Sequence, residues 1–267
     1  MSAVQLSVIM PVYNGEEFLA EAVESVLEQS FSDFEFLIVD DASTDATASL
    51  LEAYAKKDSR VRVVRNEENL GIANSLNNAL SLAEGEFVAR MDADDVCVAG
   101  RFEKQVAALA DADVVGSWVT VVDSSGEELF VRTYPTDVSS RILRECPLAH
   151  PAVMFRKLVV VEAGGYDASL STSQDYDLWL RLFSRGARLV NLQESLLLYR
   201  VHAGSVKNAK VKETLRNTLA IKKKARREYG LTFTARDWIR VAVESVALLL
   251  PAKLVMWVFL KKIGGGQ

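Results

Sequence analysis

Leu6-Ser-Val-Ile-Met10 runs straight into Pro11-Val-Tyr-Asn-Gly15, and this junction sets the reading of the chain. The first stretch is a short apolar run that fits a strand, and the second is a cluster of turn formers. Glu17 to Gln29 follows with apolar residues at Phe18, Leu19, Ala22, Val23, Val26 and Leu27, which is helical spacing. The same order then recurs. Phe34 to Val39 predicts a second strand, closed by Asp40-Asp-Ala-Ser-Thr-Asp45, and Ser43 or Thr44 is expected to cap a helix over Ala46 to Lys57. Val61 to Arg65 predicts a third strand and Ile72 to Ala83 a third helix. Gly85 to Met91 predicts a fourth strand, which ends in Asp92-Ala-Asp-Asp95. Strands and helices alternating through short connections imply an α/β fold, with a mostly parallel sheet and helices on both faces. Ligands in such a sheet bind beyond the carboxyl ends of the strands. The clusters at Pro11–Gly15, Asp40–Asp45 and Asp92–Asp95 are therefore expected to converge on one crevice.

Beyond Asp95 the pattern changes. Arg101 to Ala110 predicts a helix and Val114 to Asp123 a strand, with Leu129 to Tyr134 as its hairpin partner. Ala152-Val-Met-Phe155 looks buried, Gly164-Gly-Tyr-Asp167 is a turn, Ser173 to Ser184 is helical and Leu189 to Val201 is strand-like. The expected division is residues 1–100 for one half of the domain, 101–207 for the other, and 208–267 for a C-terminal helical extension. In that extension Asn208 to Tyr229 is a helix rich in Lys and Arg, including Lys222-Lys-Lys-Ala-Arg-Arg227. Ala235 to Ile263 is apolar but is interrupted at Arg240, Glu244, Pro251 and Lys253, so it predicts two interfacial helices kinked near Pro251 rather than a membrane span.

Composition narrows the class. A 267-residue chain that is 49% hydrophobic and 25% charged is globular, and its net charge of −5 argues against nucleic acid as a partner. The two cysteines, Cys97 and Cys146, have no CxxC spacing and read as thiols in a reducing, cytoplasmic compartment. Met1 to Gln5 does not read as a signal peptide.

The strongest chemical signal is Asp92-Ala-Asp94-Asp95. Three carboxylates in four residues repel one another unless a cation lies among them, and hard oxygen ligands suit Mg²⁺ or Mn²⁺. At the end of the second strand, Asp40 or Asp41 is placed to accept a hydrogen bond from a nucleobase or a ribose, or else to cap the next helix. Tyr13 is placed to stack on a base. A lone histidine is more often structural than catalytic, yet His202 sits in a polar loop beside Arg200, which favours a metal ligand next to a phosphate-facing guanidinium. Asp175 lies at a helix start, where the dipole keeps a carboxylate ionised, as a general base requires; Asp177 is its rival.

Taken in order, seven segments resemble the family-two inverting glycosyltransferases of the GT-A fold. They are Ser7–Gly15, Val39–Asp45, Asn69–Gly71, Ala89–Asp95, His150–Phe155, Gln174–Arg181 and Tyr199–His202, and they span residues 5–205. The resemblance implies an enzyme that moves a hexosyl or N-acetylhexosaminyl group from a nucleotide diphosphate donor, a UDP-sugar, to an acceptor hydroxyl. It implies a nucleobase pocket at Pro11, Tyr13 and Asp41, and a DXD pair at Asp92 and Asp94 that engages ribose, diphosphate and Mn²⁺ or Mg²⁺. It implies metal or diphosphate contact at His202 and the base at Asp175. Two positions depart from the family pattern. Gln174 stands where the commonest form has Glu, and Leu76 stands where many relatives carry Arg, which leaves Arg90 as the candidate for the diphosphate. The acceptor is expected to be a saccharide or lipid-linked, in cell-surface polysaccharide or glycolipid synthesis, with 208–267 in contact with the inner face of the plasma membrane. Two other readings stay open at this stage. A nucleotidyltransferase would carry a glycine-rich loop where Pro11 to Gly15 stands, and a module that binds nucleotide-sugar without catalysis would fit Gln174.

Overall fold

The computed structural model describes residues 4–202 and 211–251. The first half follows the alternation: β1 (Leu6–Val12), α1 (Leu19–Leu27), β2 (Phe34–Asp40), α2 (Thr47–Lys57), β3 (Val61–Arg65), α3 (Ile72–Leu82) and β4 (Phe87–Arg90). These four strands are parallel, with Val8 opposite both Phe36 and Ala89. Every residue of β1 and β2 is buried, because both faces of the sheet are covered. Leu6, Val8, Met10 and Val12 join α1 and α2 on one side, while Ile9 joins α3 on the other.

The second half adds β5 (Val96–Cys97), α4 (Arg101–Ala108), β6 (Val114–Val122), β7 (Glu128–Arg132), a 3-10 turn at His150–Ala152, β8 (Met154–Arg156), α5 (Lys157–Glu162), α6 (Gln174–Ser184) and β9 (Leu189–Arg200). The strands extend the same sheet in the order β3-β2-β1-β4-β8-β6-β9-β5, with β7 paired to β6 as the expected hairpin. Here the sheet becomes mixed: β8 runs antiparallel to both β4 and β6, while β9 runs parallel to β6. Apolar spacing revealed neither the two-residue β5 nor the six-residue α5, since both are too short to show a period.

Two buried arginines join the halves. Arg101, fully buried at the start of α4, donates from Nη2 to the carbonyls of Arg90 (2.8 Å) and Val153 (3.3 Å). Arg200, at the end of β9, reaches back to the loop that follows β4, as described below.

The loops after β1 and β2 are laced together. Asn14 N–H donates to the Ser43 hydroxyl at 3.0 Å, Thr44 N–H to Asn14 Oδ1 at 2.8 Å and Gly15 N–H to Thr47 Oγ1 at 2.9 Å. Ser43 and Thr44 thus serve the β1 loop and do not cap α2. Asp45 Oδ1 takes the Thr47 amide and Glu16 Oε2 the Ala46 amide instead.

The C-terminal extension, where described, holds α7 (Val211–Arg227) and α8 (Ala235–Ala247). The apolar stretch after Pro251, expected as a second interfacial helix, lies outside the described residues. The lysines of α7 divide between inside and outside. Lys222 is buried, donating to Glu244 Oε2 at 2.7 Å and to the Arg144 carbonyl at 2.7 Å, and burial lowers its pKa. Lys224 bridges Asp167 (2.9 Å) and Asp177 (3.3 Å). Only Lys223, Arg226 and Arg227 of the Lys222–Arg227 run are exposed.

Two expected outcomes follow. Asp41 accepts from Asn66 Nδ2 (2.7 Å), Leu70 N–H (2.9 Å) and Gly71 N–H (2.8 Å) while buried. Asp41→Asn sets an NH₂ group against at least one of these donors, so it should cost about 1–3 kcal/mol in urea unfolding and speed amide exchange at Leu70 and Gly71. The Ser169 hydroxyl and then Lys224 hold the Asp167 carboxyl down at about 2. A depressed acid contributes stability above its unfolded pKa and loses it as pH falls. The stability gap between wild type and Asp167→Asn should therefore be constant near neutrality and close between about pH 4 and pH 2. Guanidinium melts at several pH values measure it.

Candidate active site

At the end of β4, Asp92, Asp94 and Asp95 each place a carboxylate oxygen within 4.8 Å of the others. Burial, together with the charge of Asp92, raises the Asp94 pKa, and the His202 contact pulls it partly back. Asp95 is pushed well up by burial, then by Asp92 and Asp94. Its Oδ1 accepts the Arg200 amide at 2.9 Å, while its buried Oδ2 has no hydrogen-bond partner among the described residues. His202 Nε2 lies 3.1 Å from Asp94 Oδ2. A compact set of hard oxygens with one imidazole beside it fits Mn²⁺ or Mg²⁺.

The neighbouring cations have other work. Arg90 is buried and ion-paired with Asp92. Arg200, expected to face a phosphate, is only 3% exposed at its side chain and is spent within the protein. Nε donates to the Asp94 carbonyl at 3.0 Å, Nη2 to Glu21 at 2.5 Å and Nη1 to the carbonyls of Asp123 and Ser124, with Phe18 stacked at 4.8 Å. Phe18 also packs against the His202 ring, 5.0 Å between centroids. Glu21 and Phe18 were read only as residues of a helix, because nothing in their local pattern points to partners almost 180 positions away.

The other candidates divide similarly. Tyr13 is 51% exposed at the mouth of β1, whereas Pro11 is buried in the strand. Asp41 spends its carboxylate on the loop Asn66–Gly71. Leu76 is a core residue of α3, and its neighbour Asn77 clamps the Tyr166 backbone at both N–H (2.9 Å) and C=O (2.8 Å). Gly165 permits this with φ +66° and no Cβ, which would otherwise lie 2.6 Å from Asn77 Oδ1.

In the first turn of α6 the two aspartates part company. Asp177 is fully buried, paired with Arg181 (2.8 Å) and accepting from the Tyr229 hydroxyl (2.8 Å). Asp175 is half-buried, and the Cys146 thiol donates to its Oδ2 at 3.7 Å. Tyr166 connects the two sides of the site. Its hydroxyl lies 3.0 Å from His150 Nε2, burial pushes its pKa far up, and Arg90, Asp175 and Asp92 are all near enough to act on it. The charges of Asp175 and Asp92 both bear on this one buried tyrosine. The Gly164–Gly165 pair was the only sequence signal of this arrangement.

The chain is similar to known glycosyltransferases in sequence and in fold. The chain is 35% identical over 261 residues to the putative glycosyltransferase EpsE of Bacillus subtilis (strain 168), covering 95% of this chain and 92% of that protein. It is 30% identical over 219 residues to the UDP-Glc:alpha-D-GlcNAc-diphosphoundecaprenol beta-1,3-glucosyltransferase WfaP of Escherichia coli, covering 81% and 85%. Among solved structures, the mannosyltransferase PcManGT of Pyrobaculum calidifontis, in complex with GDP-Man and Mn²⁺, shares the fold with a TM-score of 0.68 at 20% identity, over 94% of this chain and 71% of that one. The sheet with its flanking helices is thus the GT-A fold. The family model described as glycosyl transferase family 2 matches residues 7–156, and the chain belongs to that family.

Proposed function

We propose that this glycosyltransferase moves a hexosyl or N-acetylhexosaminyl group from a UDP-sugar to a hydroxyl of a saccharide or lipid-linked acceptor, with inversion at the anomeric carbon. The observation that carries the reading is the compact Asp92–Asp94–Asp95 cluster beyond β4 with His202 beside it, together with the half-buried Asp175 at the start of α6. Residues 1–100 bind the donor, with Tyr13 against the base and Asp41 shaping the pocket floor. Residues 101–207 supply the acceptor side. The relatives support the finer points by analogy: WfaP is named for a UDP-glucose donor and a diphosphoundecaprenol-linked acceptor, and PcManGT was solved with Mn²⁺.

In this mechanism Asp175 accepts the proton of the acceptor hydroxyl. The hydroxyl oxygen forms a bond to the anomeric carbon as the bond from that carbon to the diphosphate oxygen breaks, and the nucleoside diphosphate leaves with the electron pair. A single displacement of this kind inverts the centre. Asp92, Asp94 and His202 would hold Mn²⁺ or Mg²⁺, which when bound supplies positive charge beside the diphosphate. Arg90 fixes the Asp92 carboxylate and Arg200 fixes the backbone at Asp94, so neither needs to touch the donor. No helix among the described residues is long and apolar enough to cross a membrane. We place the enzyme in the cytoplasm, peripheral to the inner face of the plasma membrane.

Asp94→Ala should remove the Mn²⁺-dependent part of UDP binding and leave the melting temperature unchanged or higher, since it deletes one of three mutually repelling carboxylates. Calorimetry with and without chelator checks this, and equal wild-type affinity in chelator defeats the metal role. Asp175→Asn should cut turnover by ~10²-fold or more while UDP affinity stays near wild type, because the base acts on the acceptor. Asp177→Asn should lower stability instead. Near-normal turnover in Asp175→Asn moves the base elsewhere.

A further inference from the structure

Helix α8 is inside out. Its buried positions are charged. Asp237 pairs with Arg144 at 3.2 Å, and Glu244 takes Lys222 and Arg240, each at 2.7 Å. Its apolar residues face outward: Trp238, Ile239, Val243 and Val246, then Leu249 just past the helix end at 84% exposure. At ~100° per residue these five fall within an arc of about 140°, opposite the charged face. An ordinary amphipathic helix buries its apolar stripe, so this one is built to meet another apolar phase.

The margin of the stripe identifies that phase. Lys223, Arg226 and Arg227 are exposed beside it, and the Arg226 guanidinium lies over the Trp238 ring at 5.2 Å. Cations and an indole bordering an aliphatic stripe match the boundary between headgroups and acyl chains of an anionic bilayer. Beyond Pro251 the sequence continues in the same vein, Leu254-Val-Met-Trp-Val-Phe-Leu260 and then Lys261-Lys262.

The charged inner face ties this surface to the site. Arg144, held by Asp237 through its side chain and by Lys222 through its carbonyl, lies two residues before Cys146, whose thiol touches Asp175. We propose that the outward face of α8, bordered by Lys223, Arg226 and Arg227, docks on an anionic lipid bilayer. The docked helix then holds the acceptor side of the crevice at a fixed orientation to the membrane. This rests on the reading of Asp175 as base and of the acceptor as lipid-linked.

The test uses the full chain with vesicles of phosphatidylcholine alone or mixed with phosphatidylglycerol, at low salt. Wild type should sediment with the mixed vesicles and not with the neutral ones. Val243→Glu/Val246→Glu, both at exposed positions, should reduce the bound fraction by roughly tenfold or more. The same variant should keep wild-type UDP release with a water-soluble acceptor. Failure of wild type to sediment, or equal sedimentation of the variant, overturns the proposal. So does a wild-type dimer in light scattering that the variant dissolves, which would make the face a subunit contact. Absence of UDP release in both proteins would defeat the glycosyl-transfer reading instead, and is scored separately from sedimentation.

Discussion

Mutual repulsion among three carboxylates at the end of β4 is the constraint around which the molecule is arranged. Burial raises the cost of keeping Asp94 and Asp95 charged, and the charge of Asp92 raises it further. The protein answers only in part. Arg90 pairs with Asp92, His202 leans on Asp94, and the Arg200 amide donates to Asp95. The residual negative charge suits a divalent ion brought with a diphosphate. A fully neutralised loop would have less use for one.

That arrangement explains why three basic side chains play unequal parts. A guanidinium offers five donors in a fixed fork. Arg200 spends them on Asp94, Asp123, Ser124 and Glu21, which immobilises the loop's backbone and joins it to α1 and the β6–β7 turn. Arg90 works through Asp92. His202 alone sits at the rim, where a ligand could share it. The start of α6 repeats the same economy. Asp177 is consumed by Arg181, Tyr229 and Lys224, which anchors α7 on α6 and leaves Asp175 at the edge of the crevice.

The parallel half of the fold was legible because β1 and β2, buried along their whole length, appear as mostly apolar runs that stop in turn formers. The carboxylate loop and the start of α6 were legible for a related reason: polar residues cluster where a strand or helix ends. Patterns of this kind are local. Glu21, Asp123 and Arg200 meet only because β9 returns beside β6, and no spacing within α1 or β9 announces it. The Lys222–Arg227 run shows the limit most clearly. As sequence it is one basic stretch, but a helix turns successive residues about 100° apart, so Lys222 enters the interior while Lys223 stays outside.

The seam between the halves has a consequence for recombination. A fragment ending at residue 100 would carry all three aspartates of the loop and none of Arg101, Arg200 and His202. Arg101 closes the carbonyls of Arg90 at the end of β4 and of Val153 just before β8, one from each half, while Arg200 ends β9 and His202 lies two residues beyond it. Residues 1–100 therefore carry the carboxylate loop without being a unit of folding. A chimaera that takes residues 1–100 from a relative sets the relative's loop against the clasps of this chain's own second half, and the graft holds only where both arginine clasps cross the junction intact.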